Sequence, residues 1–116
     1  MKLMILTAVV AAVLVPAAFA HANATTKLTA TDGPGFTITL KKGTKKVTTL
    51  KPGKYAIKVQ DKSSIHNFHL TGPGVNKKTS VGAVTTVTWT LTLKKGTYKY
   101  VCDPHASFMH GSFTVK

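Results

Sequence analysis

Apolar residues and threonines alternate strictly from Val87 to Leu93, within a predicted strand over residues 84–93. An alternation of period two predicts a β-strand with one buried face, because successive side chains of a strand point to opposite sides. That face carries Val87, Trp89, Leu91 and Leu93. After the first twenty residues no stretch shows a sustained helical period, so the pattern predicts an all-β fold.

Shorter alternating runs, separated by glycine and proline turns, fill the rest of the chain. We predict further strands over residues 36–40, 55–59, 65–71, 98–102 and 112–116. The pentapeptide Leu-Lys-Lys-Gly-Thr occurs at 40–44 and again at 93–97, and its glycine suits a turn in both places. Residues 75–83 are predicted to be a polar connection. About six to eight strands at this spacing favour a β-sandwich or β-barrel.

The first twenty residues are predicted to be a secretory signal peptide. Lys2 gives a positive start, residues 3–15 are apolar, and small residues stand at the positions that a signal peptidase reads. The apolar run is too short for a membrane span, and no second one follows it. We place the cleavage after Ala20, with Ala24 as the alternative site. The chain is therefore expected to be exported, either to a periplasm or to the cell surface and medium.

The expected organisation is a signal peptide over 1–20, a polar, partly ordered lead-in over 21–34, and one domain over 35–116. A mature chain of 96 residues is long enough for one domain but leaves little margin of stability. Small exported domains often add disulfides, which this chain cannot do because Cys102 is its single cysteine. An unpaired exported thiol is expected to be a metal ligand, to pair with another chain, or to be an inert buried side chain.

Lysines dominate the charge of the chain. Sixteen lysines, no arginine and three aspartates give a formal net charge of +13, or +12 without Lys2. Two interpretations stay open: a cationic surface that attracts an acidic partner or an anionic cell envelope, and a solvated surface without a partner. Nucleic acid is not an expected partner, because the chain is exported and has no arginine for bidentate contacts with guanine or phosphate.

The segment from Cys102 to Met109 carries the strongest chemical signal. A thiolate, an imidazole and a thioether, from Cys102, His105 and Met109, lie within eight residues where a strand ends and a loop precedes the last strand. Two histidines, one cysteine and a distant axial methionine form the blue-copper arrangement, in which soft sulfur and imidazole suit copper. This loop would supply three of the four ligands, so one more histidine is needed.

Four histidines are candidates for the remaining ligand, namely His66, His69, His110 and His21. In a strand over 65–71, His66 shares a face with the apolar Phe68 and Leu70 and therefore points inward. His69 lies on the opposite face with Asn67. We therefore favour His66 as the fourth ligand.

The combined pattern resembles one known family. Ile65-His66-Asn67-Phe68, followed by Cys102-x-x-His105-x-x-x-Met109, is similar to the motifs of the cupredoxins, especially the plastocyanin, pseudoazurin and amicyanin group. The similarity covers residues 33–116. It implies a cupredoxin-like Greek-key β-sandwich or barrel of about seven to eight strands that binds one type 1 copper ion. The implied ligands are His66, Cys102, His105 and Met109, and Asn67 is implied to tie the two ligand loops together near the sulfur.

The spacing between His105 and Met109 departs from the family pattern. Three residues separate them, whereas plastocyanins and pseudoazurins typically have four and amicyanins two. An intermediate loop is compatible with the copper site, and it implies an altered Met109 distance and redox potential, which the axial ligand tunes. The alternative is that Met109 does not reach the copper and that the axial position is open or filled by a backbone oxygen.

The resemblance implies a protein that shuttles single electrons between redox partners and is not an enzyme. Electrons are expected to pass through the exposed edge of His105 to an acidic partner protein that the lysines attract. The apolar rim around this edge is expected to contain Pro73, Pro104, Ala106 and Phe108. The protein is expected to be a monomer without a transmembrane segment.

Three other functions stay open. A copper carrier or scavenger would use the same ligands without a redox partner. A zinc-binding or metal-free cationic β-sandwich would act as an adhesive surface module. It would show no intense visible absorption when Cu(II) is added. A copper oxidase-like enzyme needs an open coordination position and a substrate pocket, and the sequence shows no further catalytic set for one.

Overall fold

The structure is a computed structural model that describes residues 9–14 and 24–116. Most of the predicted signal peptide, the cleavage position at Ala20 and the candidate ligand His21 lie outside the described residues. Residues 9–14 belong to no helix or strand. No helix in the described ranges is long and apolar enough to cross a membrane.

The described residues form ten strand segments and a single-turn 3₁₀ helix, which confirms the all-β prediction. The strands are β1 (Thr26–Asp32), β2 (Ile38–Lys42), β3 (Lys45–Lys46), β4 (Thr49–Leu50), β5 (Gly53–Asp61), β6 (His69–Gly72), β7 (Val75–Lys78), β8 (Thr85–Leu93), β9 (Gly96–Val101) and β10 (His110–Val115). The 3₁₀ helix spans Asp103–His105. Since β3 and β4 have two residues each, the longer strands agree with the number expected from the sequence.

The strands form two five-stranded sheets that enclose the core as a β-sandwich. The first sheet has the order β3-β2-β1-β5-β8, and the second has the order β4-β10-β9-β6-β7. The β1–β5 and β4–β10 pairs are parallel, and the other neighbours are antiparallel. Consecutive strands change sheet repeatedly, which is typical of Greek-key sandwiches.

Strand β1 corrects the expected boundary of the domain. The lead-in over 21–34 was expected to be only partly ordered, but Thr26–Asp32 form the central strand of the first sheet. Leu28 and Ala30 are buried, since β1 has β2 on one side and β5 on the other. The expectation was wrong for these residues because an apolar alternation of two members is too short to reveal a strand without its partners. The described fold therefore begins at Thr26, not at residue 35.

The second sheet also differs from the prediction near β6. The strand expected over 65–71 begins only at His69, and the residues before it form a turn and a short irregular segment. The strict alternation therefore fails there, and Asn67 is buried although the prediction placed it opposite His66. Within the predicted polar connection 75–83, β7 forms an edge strand against β6. Its sequence is polar because an edge strand exposes most of its side chains.

Aromatic rings fill much of the space between the sheets. Phe68 stacks on Tyr100 with ring centroids 5.4 Å apart, and Tyr98 stacks on Phe113 at 5.1 Å. Gly111 lies directly against the ring of Tyr100, so a side chain at position 111 would collide with it. Full burial of each large apolar side chain stabilises the fold by roughly 1.5 to 3 kcal/mol. This packing holds β6, β9 and β10 in the positions from which the loops of the site extend.

The two ends of the sandwich carry different groups. We call the end where β1 and β5 finish, at Asp32 and Asp61, the upper end. Strand β6 starts and β9 finishes there, with His69 beside Val101. Thr79 connects the two sheets at this end. Its hydroxyl donates a hydrogen bond to Asp61 in β5 and accepts one from the N–H of Phe68, which directly precedes β6. The opposite, lower end contains the β2–β3, β4–β5 and β8–β9 turns.

Two carboxyl groups are buried side by side at the upper end. Asp32 and Asp61 are partners in the parallel β1–β5 pair, and both are buried. Asp61 accepts hydrogen bonds from the Thr79 hydroxyl and the Ser63 N–H, whereas the oxygens of an ionised Asp32 find no donor among the described residues. Burial, and then a hydrogen bond and the charge of Asp61, raise the pKa of Asp32 to about 8. A proton on Asp32 supplies the donor that two carboxylates lack, so the pair is expected to share one proton near neutral pH.

Replacing Asp32 with asparagine is expected to stabilise the fold at alkaline pH and to change it little in acid. The pKa of Asp32 rises from an ordinary value of 3.8 to about 8 in the fold, so the folded protein holds the proton more tightly. The destabilisation caused by Asp32 therefore grows as the pH rises through this range, by at most about 1.4 kcal/mol per pH unit. Thermal unfolding of both proteins at several pH values measures this difference. A difference in stability that stays constant from about pH 5 to about pH 8 would contradict the shared proton.

Candidate metal centre

Three of the side chains singled out from the sequence converge at the upper end. Nδ1 of His66 lies 3.1 Å from Nδ1 of His105. Sγ of Cys102 lies 3.7 Å from the His66 nitrogen and 3.5 Å from the His105 nitrogen. The pairing of His69 with Val101 explains this meeting, because it places the residues before β6 beside the residues after β9.

The three donor atoms fit one metal ion. A circle through them has a radius of about 2.0 Å, which is close to a metal–imidazole bond of about 2.0 to 2.1 Å and somewhat shorter than a metal–thiolate bond of about 2.3 Å. A thiolate and two imidazoles without a carboxylate favour copper or zinc over magnesium or calcium. His66 and Cys102 are completely buried and His105 is partly exposed, so an ion held here is largely shielded from water.

The loop from Cys102 to Met109 is closed by its own backbone. The N–H of His105 donates to the carbonyl of Cys102 at 3.0 Å, and the N–H of Met109 donates to the carbonyl of His105 at 2.8 Å. The N–H of Cys102 donates in turn to the carbonyl of Met109 at 3.0 Å. Pro104 lies in the first turn of the 3₁₀ helix, where its missing N–H costs no hydrogen bond. Three of the residues singled out from the sequence are thus held in one compact turn.

Met109 is buried next to this turn, with 1% of its surface exposed. Neither Met109 nor Cys102 belongs to the main apolar cluster between the sheets. Its backbone is fixed beside Cys102 by the hydrogen bond between the Cys102 N–H and the Met109 carbonyl, which keeps Met109 a candidate for the axial thioether.

Asn67 connects the two segments that carry the donor atoms. Its Oδ1 accepts a hydrogen bond from the Asp103 N–H at 2.7 Å. Its Nδ2 donates to Oδ2 of Asp103 at 2.8 Å and to the carbonyl of Thr79 at 3.2 Å. Because Asp103 directly follows Cys102, these bonds hold the segment around His66 against the cysteine loop.

His69 is engaged elsewhere and lies outside the donor triangle. Its Nδ1 is 2.8 Å from Oδ1 of Asp103, and its Nε2 is 2.7 Å from Oδ1 of Asn76. Partial burial works to lower the pKa of His69, but its hydrogen bonds to Asp103 and Asn76 and the charge of Asp103 outweigh burial and raise it. Burial likewise works to raise the pKa of Asp103, and the hydrogen bonds of His69 and Asn67 outweigh it and lower that pKa. His69 therefore orients Asp103, the residue after Cys102.

Of the other two histidines, His110 is exposed at the start of β10, paired with Val101. His21 is not among the described residues.

Phe36 is a residue of the site that the sequence did not reveal. Its ring centroid lies 5.2 Å from that of His66 and 5.1 Å from that of His105, in edge-to-face geometry. The ring of Phe108 lies 5.8 Å from Phe36 and 5.5 Å from His105. The sequence pattern placed Phe36 in a strand with Ile38, whereas β2 begins only at Ile38 and leaves Phe36 in the loop over the donor atoms. No local signal distinguishes such a loop residue from a strand residue.

Gly33, at the other end of this loop, allows its close approach to the site. Its φ is +70°, and a Cβ here would lie 2.9 Å from Cβ of Ser63 and 3.3 Å from Cδ2 of His66. Only glycine combines this backbone angle with the absence of a side chain. The position therefore helps to seat the loop that carries Phe36 above His66.

The expected apolar rim around His105 is correct for Phe108 but not for Pro73. Pro73 lies at the lower end, where its ring packs against Gly96. Its carbonyl accepts a hydrogen bond from the Tyr98 hydroxyl. The reason is the direction of β6, which runs from the upper to the lower end before the turn that contains Pro73.

Comparison with solved structures gives close matches in fold. Reduced rusticyanin at 1.9 Å is 24% identical, with a TM-score of 0.57 and coverage of 79% of each chain. Reduced rusticyanin solved by NMR is 24% identical, with a TM-score of 0.56 and coverage of 79% of this chain and 77% of the other. Rusticyanin from Thiobacillus ferrooxidans at 1.27 Å is 24% identical, with a TM-score of 0.55 and the same coverage. Comparison with curated proteins gives no match.

A family model confirms the resemblance noted from the motifs. The model described as "Cupredoxin-like domain" matches residues 3–115, which is nearly the whole chain. His66, Cys102, His105 and Met109 form a candidate site for one type 1 copper ion. The sandwich, the meeting of its two loops and the match over the full domain lead to one conclusion: the chain belongs to the cupredoxin family.

Proposed function

We propose that the protein is an exported, mononuclear type 1 copper protein that carries single electrons between redox partners. The observation that carries this proposal is the convergence of the donor atoms of His66, Cys102 and His105, which lie 3.1 to 3.7 Å from one another. Met109 is the proposed axial ligand. The likeness in fold to rusticyanin, which is a copper protein, supports the assignment.

Bound copper supplies a one-electron couple between Cu(I) and Cu(II). The residues of the chain keep the donor positions constant: the loop of Cys102 is closed by backbone hydrogen bonds, and Asn67 fastens it to the segment of His66. A donor set held by its surroundings changes little between two oxidation states, which lowers the reorganisation that accompanies electron transfer. A rigid frame of this kind suits an electron carrier.

His105 is the proposed route of the electron. It is the partly exposed member of the donor triangle, and the rings of Phe36 and Phe108 beside it are 59% and 58% exposed. Exposed aromatic rings form a surface that a partner protein can cover, since interface centres are enriched in aromatic residues. Electron exchange is therefore proposed to take place across this surface.

Residues 1–20 are proposed to be a signal peptide that directs export, and the domain that binds copper begins at Thr26. Complete burial of the single thiol among its neighbours keeps it from exchanging with other thiols in an oxidising compartment. This supports export of a chain without disulfides.

A cycling experiment separates an electron carrier from a copper carrier with the same ligands. The Cu(II)-loaded protein is reduced with ascorbate, incubated with a Cu(I)-specific chelator, separated from it by gel filtration and reoxidised with ferricyanide. We expect most of the intense visible absorption to return over several cycles, since buried donors and a closed loop hold the ion in both states. A parallel sample without chelator corrects for losses in handling.

Loss of the copper to the chelator in the first cycle would contradict the electron-carrier function and favour a copper carrier. Absence of any intense visible absorption after Cu(II) is added would contradict the type 1 site itself.

A further inference from the structure

The charged side chains are unevenly distributed along the sandwich, although Lys62, Lys77 and Lys78 lie near its upper end. All three aspartates lie at the upper end: Asp32 and Asp61 finish β1 and β5, and Asp103 follows Cys102. Exposed lysines instead crowd the lower end, on or beside the turns there. These are Lys42, Lys45, Lys51, Lys54, Lys94, Lys95 and Lys116. None of these lysines forms an ion pair in the described part of the chain.

A groove opens among these lysines at the lower end. Its volume is about 420 Å³, and Lys42, Lys51 and Lys54 line it together with the β4–β5 turn. The hydroxyl of Tyr55 is turned away from solvent and donates to the carbonyl of Lys51 at 2.6 Å, which holds the turn in place. The groove thus presents three ammonium groups without a nearby carboxylate, which suits a phosphate group.

The basic end is too far from the donor atoms to guide a partner onto His105. Strand β5 has nine residues and runs from the lower to the upper end, which corresponds to about 30 Å at roughly 3.3 Å per residue. An electrostatic attraction is screened over about 8 to 10 Å at physiological salt. A partner bound at the lower end therefore lies remote from Phe36 and His105.

The chain enters the domain at this same end. Strand β1 starts at Thr26, at the lower end, and the apolar run of residues 3–15 precedes it by about ten residues in the sequence. Before cleavage, the proposed signal peptide is therefore attached at the basic end of the domain. After cleavage that segment is absent, so the attraction of the exported protein to a lipid surface rests on the lysines alone.

We propose that the lower end of the domain docks on an anionic lipid bilayer and directs the upper end, with His105, toward the aqueous side. Clustered lysines are attracted to anionic lipid surfaces, and each one adds to the attraction within a Debye length. The groove of Lys42, Lys51 and Lys54 accepts a lipid phosphate. This surface is distinct from the site of electron exchange, so a docked molecule still meets its redox partners. The inference does not depend on bound copper, and its test can fail while the proposed function stands.

Co-sedimentation with vesicles tests the proposal. The protein in its exported form is mixed with vesicles of phosphatidylcholine alone, or with about a third of phosphatidylglycerol. We expect binding only to the anionic vesicles, with a partition coefficient that falls by at least about ten-fold when salt is raised from roughly 0.05 M to 0.5 M. Equal binding to both kinds of vesicle would overturn the proposal.

Two quadruple variants of equal net charge locate the surface. K42Q/K51Q/K54Q/K94Q removes lysines from the lower end, and K58Q/K62Q/K77Q/K99Q removes the same number of exposed lysines from elsewhere. We expect the first variant to lose at least about ten-fold in partition and the second to lose less than about three-fold. Equal losses would show a general effect of net charge and overturn the assignment to the lower end.

Two further measurements complete the test. Thermal unfolding establishes that each variant is folded, since all eight side chains are exposed and a folding defect is not expected. Soluble polyglutamate replaces the vesicles as an acidic, protein-like competitor. Binding to polyglutamate with no binding to anionic vesicles would overturn the lipid assignment in favour of an acidic protein partner.

Discussion

Replacing Cys102 with serine is expected to abolish the intense visible absorption of the Cu(II)-loaded protein. That absorption arises from charge transfer between a thiolate and copper, and a serine hydroxyl stays protonated and supplies no thiolate. Cys102 is completely buried, and its N–H and carbonyl bond to Met109 and His105 through the backbone. Serine has nearly the same shape, so the variant should keep the loop and lose only the sulfur.

Titration of both proteins with Cu(II), followed by visible spectroscopy, measures this effect. Thermal unfolding of the metal-free proteins is the control, and we expect a change within the usual range of about 0.5 to 3 kcal/mol for a single substitution. An intense band that survives in the serine variant would show that Cys102 is not the source of the absorption. The type 1 assignment would then be wrong, even though the fold is unaffected.

Replacing His66 with alanine is expected to remove the same band, whereas replacing His69 with alanine is expected to preserve it. Nδ1 of His66 belongs to the donor triangle, 3.1 Å from Nδ1 of His105. Both ring nitrogens of His69 are bound to Asp103 and Asn76. Loss of a group that supports a ligand typically lowers metal affinity by about 10- to 100-fold. We expect the His66 variant to lose more than about 100-fold in copper affinity, and the His69 variant to lose no more than about 100-fold.

The two histidine variants are each other's control, because the residues are three apart and belong to the same segment. Copper affinity is measured by competition with a chelator of known strength, in parallel with the visible spectrum. Loss of the band in the His69 variant alone would reverse the assignment of the fourth ligand. Loss in both variants to the same extent would show that the segment, and not one imidazole, holds the site.

The strands that could be predicted are those in which apolar and polar residues alternate over a long run. The runs that became β5 and β8 carry three or more apolar residues at every second position, because one face of each is buried against the second sheet. Strand β1 was missed for the opposite reason: its two buried apolar residues, Leu28 and Ala30, owe their burial to neighbouring strands on both sides. A central strand with so few apolar residues is recognisable only from its partners.

The residues of the candidate site likewise fall into those that a local pattern predicts and those that only the fold places. Cys102, His105 and Met109 are separated by three and four positions, so a single turn brings them together whatever the rest of the chain does. His66 was favoured from strand parity, yet it lies in the irregular segment before β6, where parity does not hold. The structure places its ring in the donor triangle because β6 pairs with β9 in the register of His69 with Val101.

The amino-acid order alone therefore establishes the all-β class, the turns and the cysteine loop, since each depends on residues a few positions apart. The fold as a whole establishes the meeting of His66 with Cys102, the ring of Phe36 above both histidines, the burial of Asp32 beside Asp61 and the uneven distribution of charge between the two ends. Each of these depends on the register between strands distant in sequence. Register is set by the packing of both sheets around the core, and no local pattern contains it.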